Sequence, residues 1–537
     1  MSRSIYLVNP RSKFPTYFTA EVFAASGFRP ATAMADLALP TVAALAPGDF
    51  RVELCDENIS PLDPFLNVDF VGITGKVNQH ERMIEIARHF RKRGKIVIIG
   101  GPQASLSPES VQPECDILVT GEIENIADQF FADLRSGNWK QRYFGDKPDL
   151  DKTPIPKWDS YANDRARMGT LQTSRGCPFE CEFCDVIQYL GRKQRHKSPS
   201  LVLAELDELY RHGYRAVFLA DDNFTVYRSR AKELLSALRH WNDAGGKGVA
   251  FATQVSIDCA RDIEMLQLCA AAGFTDVFIG IESPNEDSLR ETKKRQNLGV
   301  DLAERTVRFV HSGIAVTAGM IVGFDADTKA IFEQQYEFAM SLPVPIFTLG
   351  TLVAPAATPL HSRLALENRL VENGWEVAGA WNTNLVPLRM KRSELMAGVR
   401  WLCNRLYRPE AFGERTLHFI REFGRDRNVS PSRVRLPLQA QYRPIDIEAL
   451  QLAGRVRQLG VEEEKMFTRI QAAVARKPEV LQHVVVMLTQ YMQVRHSYAY
   501  AGLWDPRLGA QRSPTWEEFR ADAERTSLPM CVSSVGS

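Results

Sequence analysis

Between residue 4 and about residue 145, short unbroken apolar runs alternate with stretches whose apolar residues recur every three or four positions. The runs at 5–8, 51–55, 70–74, 96–99 and 115–120 predict strands, and the periodic stretches at 34–45, 80–93 and 126–134 predict helices. A strand without polar alternation is buried on both faces, so the pattern predicts a parallel, doubly wound α/β sheet. Ligands in such sheets bind beyond the carboxyl ends of the strands. The candidate ligand loops are therefore 9–17, 75–78, 100–103 and 121–124. Asn9 opens the first. Thr74-Gly75 and Thr120-Gly121-Glu122 end their strands with small or polar residues, and Gly100-Gly101-Pro102 lets the backbone approach a bulky group.

Residues 146–169 lose this periodicity. Asp149, Lys152, Pro154, Pro156 and Trp158 mark a linker. A second strand–helix rhythm then fills 170–355, with strands expected at 170–173, 216–220, 250–256, 277–281, 316–322 and 347–352. Helices are expected between them at about 199–212, 228–243, 261–272, 301–312 and 329–341. From 356 to 537 helical patterns dominate, at 393–407, 409–422, 445–459, 462–475 and 478–498. Trp375, Trp381, Tyr491, Tyr498 and Trp504 are candidates to line an apolar cavity there, although such residues are more often plain core. The expected organisation is thus 1–145, a 146–169 linker, 170–355 and a mainly helical 356–537 that covers the substrate site.

Composition narrows the class. At 537 residues the chain exceeds one core, and roughly two to four domains are expected. Lys+Arg 66 against Asp+Glu 65 gives a net charge of +1, which offers no global electrostatic case for nucleic acid or an acidic membrane surface. Nine cysteines, an odd number and mostly dispersed, argue against a disulfide framework and fit a reducing cytosol. The start of the chain runs directly into a strand-like segment without a signal-peptide core, and no run approaches the ~18 apolar residues of a membrane span.

Three cysteines are not dispersed. They lie in Thr173-Ser-Arg-Gly-Cys-Pro-Phe-Glu-Cys-Glu-Phe-Cys-Asp185, spaced Cys177-x3-Cys181-x2-Cys184. Three thiolates can hold three corners of a [4Fe–4S] cube and leave the fourth iron open. A zinc site or a set of core thiols is the alternative. Zinc sites are usually closed by four ligands, yet no second Cys-x2-Cys pair and no His-x3–5-His follows. The run resembles the signature of radical S-adenosylmethionine (SAM) enzymes. Together with the preceding α/β region and the helical region after it, the chain resembles the cobalamin-dependent radical SAM methylases of class B, most closely the group containing the hopanoid methylases. Gly191-Arg192, Ser198-Pro199 and Asp221-Asp222-Asn223-Phe224 share in that likeness.

The resemblance implies a cobalamin-binding-like sheet, a partial (β/α)6 radical SAM barrel and a C-terminal helical domain. It implies that Cys177, Cys181 and Cys184 bind the cluster, with Phe183 beside the SAM adenine. It also implies that the Asp221-Asp222-Asn223 tip grips the SAM amino group, that Gln254 and Ser256 meet ribose or carboxylate, that Glu282 belongs to a Gly-x-Glu-Ser tip, and that Gly319 lets backbone pass the adenosine. Residue by residue, structural readings stand beside these: a helix N-cap for Asp221–Asn223, ordinary strand-end polarity for Gln254 and Ser256, a salt bridge for Glu282, and helix capping for the segment 325–328. Cobalamin would lie at Asn9, Thr74, Gly75, Gly100, Gly101, Pro102, Thr120, Gly121 and Glu122, where a generic flavodoxin-like domain is the alternative. The Asp-x-His-x-x-Gly signature is absent and His80 and His89 fall on a helix, so the corrin would bind without a histidine ligand. Arg192 and Arg195 belong either to a solvated loop or to the charge balance of the cofactors.

The implied chemistry has a physical logic. An unactivated carbon is not nucleophilic, so a deoxyadenosyl radical removes its hydrogen and methylcobalamin supplies the methyl, while the protein positions both. The implied partners are a small-molecule or lipid substrate and an electron donor such as flavodoxin or ferredoxin. Two competitors are the same cofactors driving cyclisation, oxidation or rearrangement, and a non-catalytic cofactor-binding sensor.

Overall fold

The computed structural model describes residues 3–371, 381–426, 443–509 and 514–526. Two parallel sheets organise them. The N-terminal sheet contains β1 (Arg3–Asn9), β3 (Phe50–Asp56), β4 (Phe70–Thr74), β5 (Ile96–Gly100), β6 (Ile117–Gly121) and β7 (Arg142–Gly145), in the order β3-β1-β4-β5-β6-β7; β2 (Thr32–Met34) lies outside it. All its pairings are parallel. Alternate residues of one strand feed opposite faces. Tyr6 and Val8 join a core with Met83, Ile86 and Phe90 of the helix His80–Lys92, while Ile5 and Leu7 join the main core with Phe130 and Phe131. Burial on both faces is why these strands read as unbroken apolar runs. The strand order reverses between β1 and β4, which places the loops after those two strands at the ligand-binding crevice.

The second sheet holds β8 (Ala166–Leu171), β11 (Ala216–Leu219), β12 (Ala250–Val255), β13 (Phe274–Glu282), β14 (Ala315–Val322) and β15 (Ile346–Thr351), all parallel. Its order, β15-β14-β13-β12-β11-β8-β2, is that of a curled, open half-barrel. Between β8 and β11, the short strands β9 (Ser174–Arg175) and β10 (Arg195–His196) pair antiparallel and pinch off the cysteine loop.

Three placements differ from the expectations. The helix expected over 34–45 begins only at Ala38, because Thr32–Met34 pairs in parallel with β8 and adds a seventh strand to the half-barrel. The first barrel strand lies at Ala166–Leu171 rather than at 170–173, since Thr173 and Ser174 leave the sheet to bond Asp221. β7 was not expected. It is a four-residue edge strand with alternate positions exposed, too short to carry a period.

The C-terminal helices Arg392–Tyr407, Pro409–Glu422, Pro444–Gly454, Val461–Arg476 and Leu481–Tyr500 pack over β15 and the neighbouring barrel helices. Trp381, Tyr491 and Tyr498 are core residues, whereas Trp375 lies outside the described residues. Tyr17, in the loop after β1, hydrogen-bonds Tyr498 at 2.6 Å, accepts from Trp381 at 3.2 Å and donates to the Leu349 carbonyl at 3.1 Å. That loop is thereby tied to both the barrel and the helical region. Among the described residues no helix is long and apolar enough to cross a membrane.

Gly121 closes β6 with φ +74°, and a Cβ there would collide with the Gly145 carbonyl of β7. Gly121→Ala is expected to destabilise the N-terminal sheet by about 2 kcal/mol or more, the sum of left-handed strain and overpacking. The check is a denaturant titration followed by fluorescence; an unchanged midpoint would contradict this packing.

Candidate active site

The cysteine loop is built by local backbone constraints. Gly176 sits at φ +97°, and a Cβ there would lie 2.8 Å from the Gly191 carbonyl and 2.9 Å from that of Lys193. Only glycine lets the two sides of the β9–β10 hairpin approach so closely. The Cys177 amide then donates to Gly191 O at 3.2 Å, and the Cys184 amide donates to Cys181 O at 3.1 Å. All three thiols lie within electrostatic reach of one another. Their sulfurs do not all fall within 4.8 Å of each other, because among the described residues only Asp159, Glu208 and His212 form such a group. A single tetrahedral zinc, with Zn–S about 2.3 Å, would draw thiolates to roughly 3.8 Å apart. The three sulfurs are therefore spread wider than one zinc would hold them.

The surroundings fit an anionic cluster. Gln296 directs Nε2–H at Cys181 Sγ over 3.7 Å. Lys294 is buried beside Cys181 and Cys184 and pairs with Glu282 Oε1 at 2.8 Å. Burial opposes its charge, but the Glu282 carboxylate outweighs that and holds the ammonium above the usual lysine range. In the metal-free chain, burial pushes the Cys177 thiol up to about 11 and Cys184 to about 12. Both are protonated at neutral pH, so metal binding must release protons. Lys294 and Gln296 escaped sequence reasoning. They lie in a charged, aperiodic stretch, and no signal there separates them from a solvated loop.

The strand tips sort the expected SAM residues into two groups. Asp221 is 1% exposed and accepts four hydrogen bonds, from Thr173 N (2.6 Å), Thr173 Oγ1 (2.5 Å), Ser174 N (3.0 Å) and Ser174 Oγ (2.9 Å). Its acceptor capacity serves the strand leading into the cysteine loop. It caps no helix, and its carboxylate is taken up by these four donors. Asp222 is half-buried and accepts from the Gly176 amide at 2.9 Å; burial raises its carboxyl to about 6. Asn223 donates to Ser256 Oγ at 3.0 Å, and its own Oδ1 is buried without a partner. Ser256 in turn donates to Asp258, and Gln254 contributes its backbone carbonyl to Phe224 N at 3.0 Å. Phe183 packs in a small apolar cluster with Phe324 and Leu352.

Glu282 is the strained member. It stands at φ +65° after a bulge that interrupts the β13–β14 register, in a region that a β-strand residue rarely enters. The bend aims its carboxylate back past Gly280 to Lys294, and a side chain on Gly280 would occupy that path. Gly319 is the in-register neighbour of Gly280, and a Cβ on it would lie 2.9 Å from Phe278 Cζ. Asp325 and Asp327 are structural. The first pairs with Arg363 and Arg369, and the second holds the Gly323 and Phe324 amides.

At the N-terminal sheet the expected cobalamin residues share one edge, but several are engaged within the protein. Asn9 bonds Asp56 (3.3 Å) and Gln79 (2.8 Å). Cβ atoms on Gly75 and Gly101 would meet Met83 and Thr74, so these glycines serve close internal packing. Gly100 and Pro102 start the helix Gly101–Leu106, Thr120 Oγ1 reaches Tyr143 O at 3.4 Å, and Gly121 N bonds Ser105. Glu122 is buried between Arg175 (2.5 Å) and Arg195 (2.5 Å). Arg195 therefore does not belong to a solvated loop, whereas exposed Arg192 pairs with Glu180 at 2.7 Å. His89 bonds Pro64 O at 2.8 Å and His80 is buried beside Gln103, so neither imidazole presents itself at the edge.

A cavity of about 400 Å³ separates the two ligand edges. Phe14, Val77 and Asn78 of the crevice loops form one wall, and Phe278, Glu282 and Gly319 of the barrel form the other.

Two outcomes test this geometry. Replacing Cys177, Cys181 or Cys184 with Ala is expected to reduce bound iron by more than about half and to abolish SAM cleavage, since two thiolates cannot anchor the cube. Iron assay and 5′-deoxyadenosine chromatography decide it, and retained cleavage by any variant removes that cysteine from the ligand set. Asp221→Asn is expected to cost about 2 kcal/mol of stability by weakening charge-assisted bonds to four donors. An unshifted denaturation curve would return Asp221 to the ligand-facing group.

The same fold recurs among known proteins. Residues 171–339 match the radical SAM superfamily and residues 358–500 match a domain of unknown function, DUF4070. An uncharacterized methyltransferase of Synechocystis is 36% identical over 359 residues, 66% of this chain and 67% of the relative. The hopanoid C-2 methylase of Rhodopseudomonas palustris is 32% identical over 385 residues, 70% of this chain and 72% of the relative. Among solved structures, the cobalamin-dependent SAM radical enzyme OxsB, with aqua-cobalamin and SAM bound, superposes with a TM-score of 0.58 at 15% identity, covering 98% of this chain and 84% of that one. The chain therefore belongs to the cobalamin-dependent radical SAM enzymes, in the methyltransferase group that includes the hopanoid C-2 methylase.

Proposed function

We propose that the protein methylates an unactivated carbon of a small-molecule or lipid substrate held in the cavity between the two sheets. The carrying observation is that cavity itself, with the sheet's crevice loops on one side and the barrel strand tips on the other. When bound, the cluster and SAM supply radical chemistry and cobalamin supplies a methyl carrier.

The chain's own residues do the placing. Cys177, Cys181 and Cys184 would hold three irons, with Gln296 Nε2–H at Cys181 Sγ and the Lys294 ammonium beside Cys181 and Cys184. Asp222 and the unpartnered Asn223 Oδ1 would accept from the SAM ammonium or ribose, and Gly280 and Gly319 would let an adenosine lie against the backbone. The loops after β1 and β4 would carry the corrin. Phe14, Val77, Phe278, Met320, Ile321 and Val353 give the cavity a largely apolar lining, which keeps water from a reactive carbon and favours a hydrocarbon-rich substrate. The named activity of the hopanoid relative supports the lipid end of that range. A one-electron donor such as flavodoxin or ferredoxin completes the system, and dispersed free cysteines favour the reducing cytoplasm.

The test is anaerobic turnover of reconstituted protein with methyl-labelled SAM and a substrate extract. Labelled methyl is expected on a carbon of the product, with 5′-deoxyadenosine formed in comparable amount. A modified product without label would replace methylation by cyclisation or oxidation. No 5′-deoxyadenosine from a fully loaded protein would make the chain a cofactor-binding sensor.

A further inference from the structure

Two sheets that share one substrate must be held in a defined relation, and one cluster of buried charges is placed to do this. Glu122 and Glu124 follow β6 at the ligand edge of the N-terminal sheet. Arg175 lies on β9 and Arg195 on β10, the two sides of the hairpin that carries the cysteine loop. Arg175 reaches Glu122 at 2.5 Å and Glu124 at 2.7 Å, and Arg195 reaches Glu122 at 2.5 Å. The four side chains are only 4–14% exposed. Two carboxylates and two guanidiniums balance, which is the condition under which such charges can be desolvated together.

The cluster is continuous with the chemistry. Arg175 directly precedes Gly176, whose amide is fixed by Asp222, and Cys177 follows. Arg175 Nε also donates to Gln172 Oε1 at 2.8 Å, and Arg195 Nη1 donates to the linker carbonyl of Pro148 at 3.1 Å. The short helix Val186–Tyr189 after the third cysteine packs on the helix Gly101–Leu106 of the N-terminal edge. The β6 tip is thereby joined through Arg175 to the start of the cysteine loop and through Arg195 to its far side.

We propose that Glu122, Glu124, Arg175 and Arg195 are positioning residues, a clasp that sets the distance and angle between the corrin-binding edge and the cluster loop. The clasp touches no reacting atom. It determines whether a methyl group and a radical generated at opposite walls meet at one carbon. This rests on the functional reading above.

The test uses full-length protein carrying Glu122→Gln, Arg195→Gln or both, reconstituted with iron and sulfide, loaded with hydroxocobalamin and given methyl-labelled SAM with titanium(III) citrate. Iron content and 5′-deoxyadenosine release are expected to stay within about twofold of the unaltered protein, while label on the corrin falls about tenfold or more. Because the two side chains act as one unit, the double variant should be no more than about twofold worse than either single one. Arg195→Lys, which keeps the charge, should recover about half of the label. In the metal-free chain, amide exchange across the 174–196 hairpin should rise about tenfold in Glu122→Gln, a readout independent of both cofactors. Unaltered corrin labelling in Glu122→Gln overturns the proposal. So does a parallel fall in iron and in both products, which would make the clasp mere support for the loop. If the unaltered protein labels no corrin, the functional reading fails, and the exchange result alone then decides whether the clasp stands.

Discussion

The constraint on which the rest of this structure depends is that three thiols must be presented together on a loop that stays open on one side. A free loop would not keep that arrangement, because ordering its backbone costs about 1–2 kcal/mol per residue. The protein offsets this with anchors from two directions. From below, Asp221 gathers the Thr173 and Ser174 donors while Asp222 takes the Gly176 amide. From the C-terminal side, Glu182, inside the loop, accepts Arg363 at 3.1 Å, and its carbonyl accepts the Leu360 amide at 3.1 Å. Hydrogen bonds to charged groups are worth about 1.5–3 kcal/mol each, so together they fix the loop firmly.

The barrel mouth shows the complementary requirement, room. Gly280 and Gly319 sit side by side in register where side chains would collide with their neighbours, and Glu282 adopts a left-handed conformation to reach Lys294. Strain of about 1–3 kcal/mol at such a position persists only where the surroundings hold it, here through the ion pair and through Gln335, which bonds the Glu282 carbonyl at 3.1 Å. The bulge at Glu282 thus turns a strand end into a charge-bearing wall of the cavity.

Much of the architecture was legible in the chain because buried parallel strands leave a strong signal. Ile5, Leu7, Tyr6 and Val8 serve opposite faces of one sheet, and so no polar alternation hides them. The cysteine triplet was legible because its three members are close in sequence. What the chain concealed is long-range. Asp221 looks like a ligand-facing carboxylate until Thr173 and Ser174, 48 and 47 positions earlier, are seen to saturate it. Glu122 looks like a ligand-loop residue until Arg195, 73 positions away, closes on it. Residue type and spacing specify what a side chain can do, but the partner that consumes that capacity is set by topology. β2 escaped for a related reason, since three half-buried residues carry no period and are recognisable only beside β8.

That small strand has a consequence of its own. Thr32–Met34 belongs by chain order to the N-terminal part yet pairs in parallel with β8, at the edge of the half-barrel. The two sheets are consequently not separable beads on a string. A fragment starting at the linker would present β8 with a row of unpaired amides and carbonyls, an invitation to self-association. Recombination that exchanged the first part for a foreign one would have to bring its own edge strand. The edge of the catalytic half is thus completed by the part of the chain that precedes it, so the two are built as one unit.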